Sequence, residues 1–492
     1  MWVINQHVKS FFSKMLTSIY ALIIILIAIM IEISPSWQSS NMWLPYTIFA
    51  STMYLLAIIF LIYATVRFPD NGSSSSTLYL RLGALLFGTM VNIFWSIELF
   101  LCFANRERPV MYMVKYTMAL IFTVLQIFFI FCKSNIRFDG ASVLVKLGLM
   151  HCVAVNLWQW IFLVLIKAHI KNKKKKKLEL FTNMDYAVNM TNYFDPYVKE
   201  LRSINVLGGT ANFFLTAAVE FSLIAAAICF ITWKSKAEGE EEKVTDEKAK
   251  KHIRFDHSNT TIGASSGVAI FTITCLSMMI NSILKNSTTS FEQADDLVGY
   301  TQITMYAITL ISCSMALFQM RKSTFTFHTH TETLDEILLV IATAGEIMYS
   351  FTGLDAIINN IHGVTSPKLA IAMFVIRIVE VLCQAIFIFL LFRLKSVDGK
   401  QGKQIITFLI FCNINLFIYH TVETTESMFG FSKCLTSSYY TLLNISTPLV
   451  VFYRFHSSAC FAEIWKHTYS TKHDTAHSSS LSLSTECEQI KV

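Results

Sequence analysis

Ionisable side chains fall inside stretches of this sequence that are otherwise strongly apolar, among them Glu98, His151, Glu220, Glu346, Arg377, Glu380, His420, Glu423, Arg454 and His456. Each charge placed at mid-helix in a membrane costs about 2.5–3.5 kcal/mol on insertion scales, so such residues are rare and need a reason. Burial favours the neutral forms of carboxyl and imidazole groups alike. Groups held near neutrality can take up and release protons without leaving a permanent charge in hydrocarbon, and that is the chemistry this set offers. Glu98 and Glu220 have no basic neighbour at helical spacing, and neither lies at the end of its run, so they are the leading titratable candidates. His151 and His420 are the imidazole candidates. Others have quieter explanations. Arg377 and Glu380 are three apart and are expected to pair, Arg454 and His456 are expected to snorkel toward the inner surface, and Glu423 sits near a helix end. Any one of them also reads as a satisfied polar group holding helices together.

Four amides form a second set. "VLQIFFIF" with Gln126 resembles "LCQAIFIF" with Gln384, and "NLWQW" with Asn156 resembles "NLFIY" with Asn415. Gln126 and Asn156 are 30 positions apart, Gln384 and Asn415 31. Amides do not titrate; hydrogen bonds between membrane helices, worth about 0.6 kcal/mol each, are the expected use. Two such pairs at matching intervals point to an internal repeat and to constrictions or struts at equivalent places. His151 and Asn156 are five positions apart, so they point to different faces of one helix and need not share a role.

The elements that must position these residues follow from composition. The chain has 492 residues, is 54% hydrophobic and 15% charged, and contains 40 Phe, with mean hydropathy +0.51. A soluble domain would be about a quarter charged. Apolar runs of about 20 residues, each enough to cross about 30 Å of hydrocarbon as a helix, recur throughout. The expected fold is an all-α polytopic membrane protein with twelve spans, near 16–33, 43–66, 79–103, 113–132, 143–167, 207–233, 263–284, 297–318, 334–357, 369–392, 404–424 and 438–462. No cleavable leader pattern precedes the first span, which is expected to be retained. The mixed-charge stretch "KSKAEGEEEKVTDEKAKKHIRFDHS" separates two six-span halves. The expected organisation is an N-terminal half at 1–233, a charged cytoplasmic linker at 234–262, a C-terminal half at 263–466 and a disordered Ser-rich tail at 467–492. With six spans in each half the repeats are parallel.

Lys9, Lys14, Arg67, Arg81, Lys133, Arg137, Arg321, Lys322, Arg393, Lys395, Lys400 and Lys403 flank the spans on one side, which places both termini in the cytoplasm. The basic run "KAHIKNKKKKKLELF" at 167–181 breaks this pattern and is read as an exception in a long translocated loop. Sequons at Asn189 and Asn286 fall on the outer side, whereas those at Asn71 and Asn259 do not support the same assignment. Nine of the eleven cysteines, all but Cys434 and Cys487, lie in or beside apolar runs and read as buried hydrophobes. There is no Walker A loop, CxxC pair, HExxH or GxSxG. The net charge of +7 reports orientation and lipid headgroups, not nucleic acid.

Five stretches, in order, carry a family resemblance: "LQIFFIF", "LGLMHCVAVNLWQW", "VEFSLIAAAICFITWK", "DEILLVIATAGEIMY" and "PLVVFYRFHSSACFAEIW". The chain resembles the otopetrins over nearly its whole length. The resemblance implies a proton-selective channel of two six-helix barrel-like halves, gated by extracellular pH, blocked by zinc, and assembled as a homodimer in the plasma membrane. It implies lipid neighbours, with sterol at the subunit interface, no enzymatic activity and no resident cofactor or metal. A Gln-Asn-Tyr triad in each half carries over as Gln126 and Asn156 in the first, and as Gln384, Asn415 and Tyr453 in the second. The sequence departs from the pattern at Phe221, which stands where the family has Tyr and leaves Asn156 or Gln126 short of a partner. Val155 and Lys167 are further departures. His169 and His362, at expected outer ends, are candidates for sensing acid or binding zinc. Two rival readings come from the residues themselves. A proton-coupled secondary solute transporter is disfavoured by only 17 Gly and 7 Pro, few for broken helices. A membrane acyltransferase using His420 or His151 has no further catalytic cluster.

Overall fold

A computed structural model describes residues 2–34, 42–67, 78–104, 109–133, 143–182, 201, 203–207, 210–237, 260–286, 291–320, 324–325, 333–361, 366–396, 402–423 and 437–469. Among the described residues the fold is all-α apart from a two-stranded antiparallel ribbon, β1 (Thr324–Phe325) with β2 (Leu394–Ser396). The first long helices are α1 (Trp2–Ile33), α2 (Trp43–Arg67), α3 (Leu78–Ala104), α4 (Val110–Phe128) and α5 (Val143–Thr182). After a short α6 (Ser203–Leu207) come α7 (Thr210–Ala237), α8 (Thr261–Asn286), α9 (Phe291–Met320) and α10 (Thr333–Asn359). The last three are α11 (Pro367–Phe392), α12 (Lys403–Glu423) and α13 (Ser437–Tyr469). In hydrocarbon every backbone N–H and C=O must be paired within its own segment, which the helix alone achieves for a single strand of chain. Hydroxyls within the spans follow the same rule by bonding a carbonyl one turn back, as Thr123 does to Ala119 O at 2.8 Å and Thr309 to Met305 O at 2.9 Å.

Among the described residues, eleven of the twelve long helices are long and apolar enough to cross a membrane. The twelfth, α13, carries Arg454, His456, Ser457 and Glu463, but all four are buried against other helices, so its polarity is spent inside the protein. The chain is a multi-pass membrane protein.

Neighbour relations among the helices repeat. In the first group α1 packs on α5, α2 on α4 and α5, α3 on α4 and α7, and α5 on α7. In the second group α8 packs on α12, α9 on α11 and α12, α10 on α11 and α13, and α12 on α13. Every contact of the first group has its counterpart in the second when α1–α5 and α7 are matched, in order, to α8–α13.

Contact between the groups runs mainly through α13, which packs on α3, α5 and α7, with α7 also touching α10 and α12. An aromatic knot marks the seam. Phe455 of α13 meets Phe87 of α3 at a centroid distance of 4.9 Å and Phe417 of α12 at 5.9 Å, while Phe87 and Phe417 are 6.0 Å apart. Gly83 allows this approach, because a Cβ there would fall 2.2 Å from the Phe455 ring.

Several expectations lie outside the described residues: most of the charged linker (238–259), the tail from 470, the sequons at Asn71, Asn189 and Asn259, and His362. The basic run after Lys167 continues α5 as helix to Thr182, but its side chains from His169 onward are outside the described set.

Candidate functional site

The matched amides occupy different surroundings in the two groups. In the second, Gln384 of α11 and Asn413 of α12 exchange two hydrogen bonds of 3.0 Å, and Gln384 Nε2 also donates to the Tyr453 hydroxyl at 3.2 Å. Tyr453, on α13, donates in turn to Val381 O at 3.0 Å. All three side chains are fully buried. Sequence matching had paired Gln384 with Asn415. The structure turns Asn415 elsewhere: its Nδ2 donates to Thr274 Oγ1 at 2.9 Å and contacts Met305 Sδ at 3.6 Å. Two positions along a helix is a rotation of about 200°, so Asn413 and Asn415 cannot both face α11, and Asn413 takes the contact.

In the first group Gln126 of α4 donates only to the Cys229 thiol on α7, at 3.2 Å, and Asn156 of α5 donates to Cys152 O in its own helix at 2.8 Å. Gln126 Oε1 and Asn156 Oδ1 are buried with no hydrogen-bond partner among the described residues. Phe221, fully buried on α7, presents no hydroxyl that could donate to either. One residue before it lies Glu220, also fully buried, with neither carboxyl oxygen hydrogen-bonded within the described protein. One turn earlier, Thr216 Oγ1 accepts a 2.7 Å hydrogen bond from Lys167 Nζ, which brings a buried ammonium to the same face of α7. Beyond Gln126, α4 ends in a π-helical turn, Phe129–Lys133, a local irregularity of a kind often found at functional sites.

The second group holds a cluster of paired, buried charges. Arg377 of α11 binds Glu346 of α10 through Nε at 3.0 Å and Nη2 at 2.6 Å. Arg454 of α13 grips Glu380 of α11 with two parallel hydrogen bonds, Nη1 to Oε1 at 2.9 Å and Nη2 to Oε2 at 2.8 Å. Its Nε is also 3.3 Å from Glu346 Oε1, so one guanidinium joins both carboxylates. All four side chains are fully buried. Helical spacing had suggested that Arg377 and Glu380 pair with each other and that Arg454 snorkels. Both expectations give way, because partners on α10 and α13 face α11 directly and leave Arg454 no route to an interface. The Tyr306 ring of α9 lies between the two guanidinium groups, 5.7 Å from Arg377 Cζ and 5.3 Å from Arg454 Cζ, at cation–π distance. Its hydroxyl meets His420 Nε2 of α12 at 3.1 Å.

The remaining candidates are structurally engaged. Glu98 accepts from Ser203 N at 2.8 Å and from the Ser203 hydroxyl, anchoring the start of α6. His151 is clamped between the Tyr20 hydroxyl at Nδ1, 2.9 Å, and Met53 O at Nε2, 3.0 Å. A carbonyl can only accept, so Nε2 carries the proton and Nδ1 accepts from Tyr20, which leaves the ring a strut between α1, α2 and α5. His456 does not snorkel either: it is fully buried, donating to Asp335 O at 2.9 Å. Among the described residues no three His, Cys, Asp or Glu side chains gather to hold a metal ion. His362 and the side chain of His169 lie outside that set.

Several buried charges escaped the sequence reading, Glu32 and Lys115 among them. Glu32 accepts from Tyr46 at 3.0 Å and from Trp158 Nε1 at 2.8 Å. Lys115 lies over Tyr46 and Phe162, 4.6 and 5.0 Å from the ring centroids. Both stand near the ends of apolar runs, where a charge usually meets water. The concentration of Tyr and Trp around them was the available signal.

The sequence pattern of the otopetrin family matches residues 79–200 and 197–455. A curated relative, "Proton channel OtopLc" of Drosophila melanogaster, is 24% identical over 450 residues, which is 80% of this chain and 28% of the relative. The chain therefore spans little more than a quarter of that protein's length. The matched residues include both amide sets, the four paired charges and Glu220, and the chain belongs to the otopetrin family.

Proposed function

We propose that this chain is a proton-selective channel. The observation that carries the reading is the set of fully buried carboxylates, guanidinium groups and imidazole inside a bundle of membrane-spanning helices. Membership of the otopetrin family and the printed name of the fly relative support it. Glu220 is the titratable group of the first half, and His420, through Tyr306, belongs to that of the second. Gln126 with Asn156, and Gln384 with Asn413 and Tyr453, shape the two constrictions. Glu98 and His151 act as supports.

The finer features travel with this reading. The two groups of helices are two halves of one subunit, both termini are cytoplasmic, and the protein works in the plasma membrane as a homodimer. Extracellular acid gates it, with His169 and His362 as sensors and zinc-binding groups. Ile262, Ile273, Met279 and Ile283 of α8 are exposed and offer an apolar face to lipid or sterol.

Whole-cell current is recorded while external pH steps from neutral to acid, with sodium and potassium replaced. The expected result is an inward current whose reversal potential moves about 59 mV per pH unit, the single-charge scale. No such current from chains at the cell surface would reject the reading, and uptake of labelled solutes would then test a proton-coupled transporter.

A further inference from the structure

The four paired charges of the second half are incompletely satisfied in spite of their burial. Arg377 Nη1, Arg454 Nε and Glu346 Oε1 make no hydrogen bond within the described protein, although the last two atoms are 3.3 Å apart. A buried ionic cluster kept only for structure is stable when every donor and acceptor is matched; here the geometry leaves capacity unused. The arrangement is also shared. Arg454 touches both carboxylates, so it keeps an anionic partner if one of them is neutralised. Glu346 is held by both guanidinium groups. Tyr306 and His420 extend the cluster across α9 and α12, so that five helices contribute to it.

We propose that Glu380 and Glu346 form a proton-exchange site whose salt bridges make the second half selective for protons, an inference that rests on the channel reading above. A hydronium from the outer side gives its proton to Glu380. An O–H bond forms, water is left, and the ionic grip of Arg454 on Glu380 is released while Arg454 stays paired with Glu346. The proton then passes to water on the inner side and the two hydrogen bonds to Arg454 re-form. No electrons move and no other reactant is needed. A metal cation cannot complete this cycle, because it cannot bond covalently to the carboxylate and would approach against two guanidinium charges.

The groups facing Glu380 are Arg454 and Tyr453 from α13, Glu346 from α10, Cys313 from α9, Cys412 from α12 and Arg377 from its own helix. Tyr306 of α9 and His420 of α12 complete the surroundings through the two arginines.

The test compares proton currents of the full chain as wild type, Glu380→Asp and Glu380→Gln, each scaled to surface amount. The Asp variant keeps an exchangeable carboxylate and is expected to keep a proton-selective current. The Gln variant is expected to lose the second half's share of the current and keep only what the first half conducts, or to let its reversal potential drift from the proton gradient. A full, proton-selective current in Glu380→Gln would overturn the proposal. Absence of current in wild type would instead reject the channel reading itself. If Glu380→Gln does not reach the surface, infrared difference spectra decide. Acidifying wild-type protein in lipid should bring up a protonated-carboxyl stretch that shifts in Glu380→Asp, and no such band would equally overturn the proposal.

Discussion

The two groups of helices share one packing scheme and treat their polar residues in opposite ways. Around Gln384, hydrogen bonds close within the protein: amide to amide, amide to hydroxyl, hydroxyl to backbone. The charges of the same half are paired in number, two carboxylates with two guanidinium groups, although Arg377 Nη1 and Glu346 Oε1 keep unused hydrogen-bonding capacity. Around Gln126, by contrast, two amide oxygens and both Glu220 oxygens are buried without partners among the described residues. Buried acceptors in native proteins are almost always satisfied, by ordered water where protein does not reach them. The account therefore assigns water to the surroundings of Gln126 and Glu220, and protein-to-protein pairing to the matching amide cluster of Gln384, Asn413 and Tyr453. A single residue type goes far to set the difference, Phe221 standing where the second half has Tyr453.

Matched substitutions break this comparison most strongly. Gln384→Leu strands Asn413 Oδ1 in a dry interior and should destabilise the protein by about 1–3 kcal/mol. Gln126→Leu removes an acceptor that has no protein partner and one weak contact to sulfur, and should stay within about 0.5 kcal/mol. Thermal unfolding of the two variants in lipid nanodiscs measures the difference; equal losses would mean that the halves are alike. The smaller effect comes from exchanging the aromatic residues. Tyr453→Phe should cost about 1 kcal/mol through the lost hydrogen bonds to Val381 O and Gln384. Phe221→Tyr should be neutral or stabilising by up to about 1 kcal/mol, because its hydroxyl can donate to an oxygen that now lacks a protein partner. The same melting experiment reads both, and a stabilising Tyr453→Phe would contradict the account.

The sequence was informative about elements and less so about partners. Apolar runs placed the spans closely: 43–66 became Trp43–Arg67, and 369–392 became Pro367–Phe392. Length and hydropathy suffice for that, because hydrocarbon admits few other structures. Residue types at the site were legible too, since a charge in an apolar run stands out. Which charges meet was not. Arg377 and Glu380 looked like a pair because spacing shows only contacts along one helix, whereas their partners come from α10 and α13. Asn415 was singled out and Asn413 was not considered, because a dipeptide match carries no information about how α12 is rotated against α11. Glu32 and Lys115 were passed over because a charge near the end of a run normally meets solvent; here Tyr46 and Trp158 close over the carboxylate.

The direct test of unequal hydration is radiolytic hydroxyl-radical footprinting of the full chain in lipid, read by mass spectrometry at buried cysteines. Cys152 and Cys229 lie beside the first-half amides, and Cys412 adjoins Asn413 in the closed amide cluster of the second. All three are buried, so radicals made from internal water dominate their oxidation. The account predicts faster oxidation at Cys152 and Cys229 than at Cys412. Equal rates, or faster oxidation at Cys412, would contradict it.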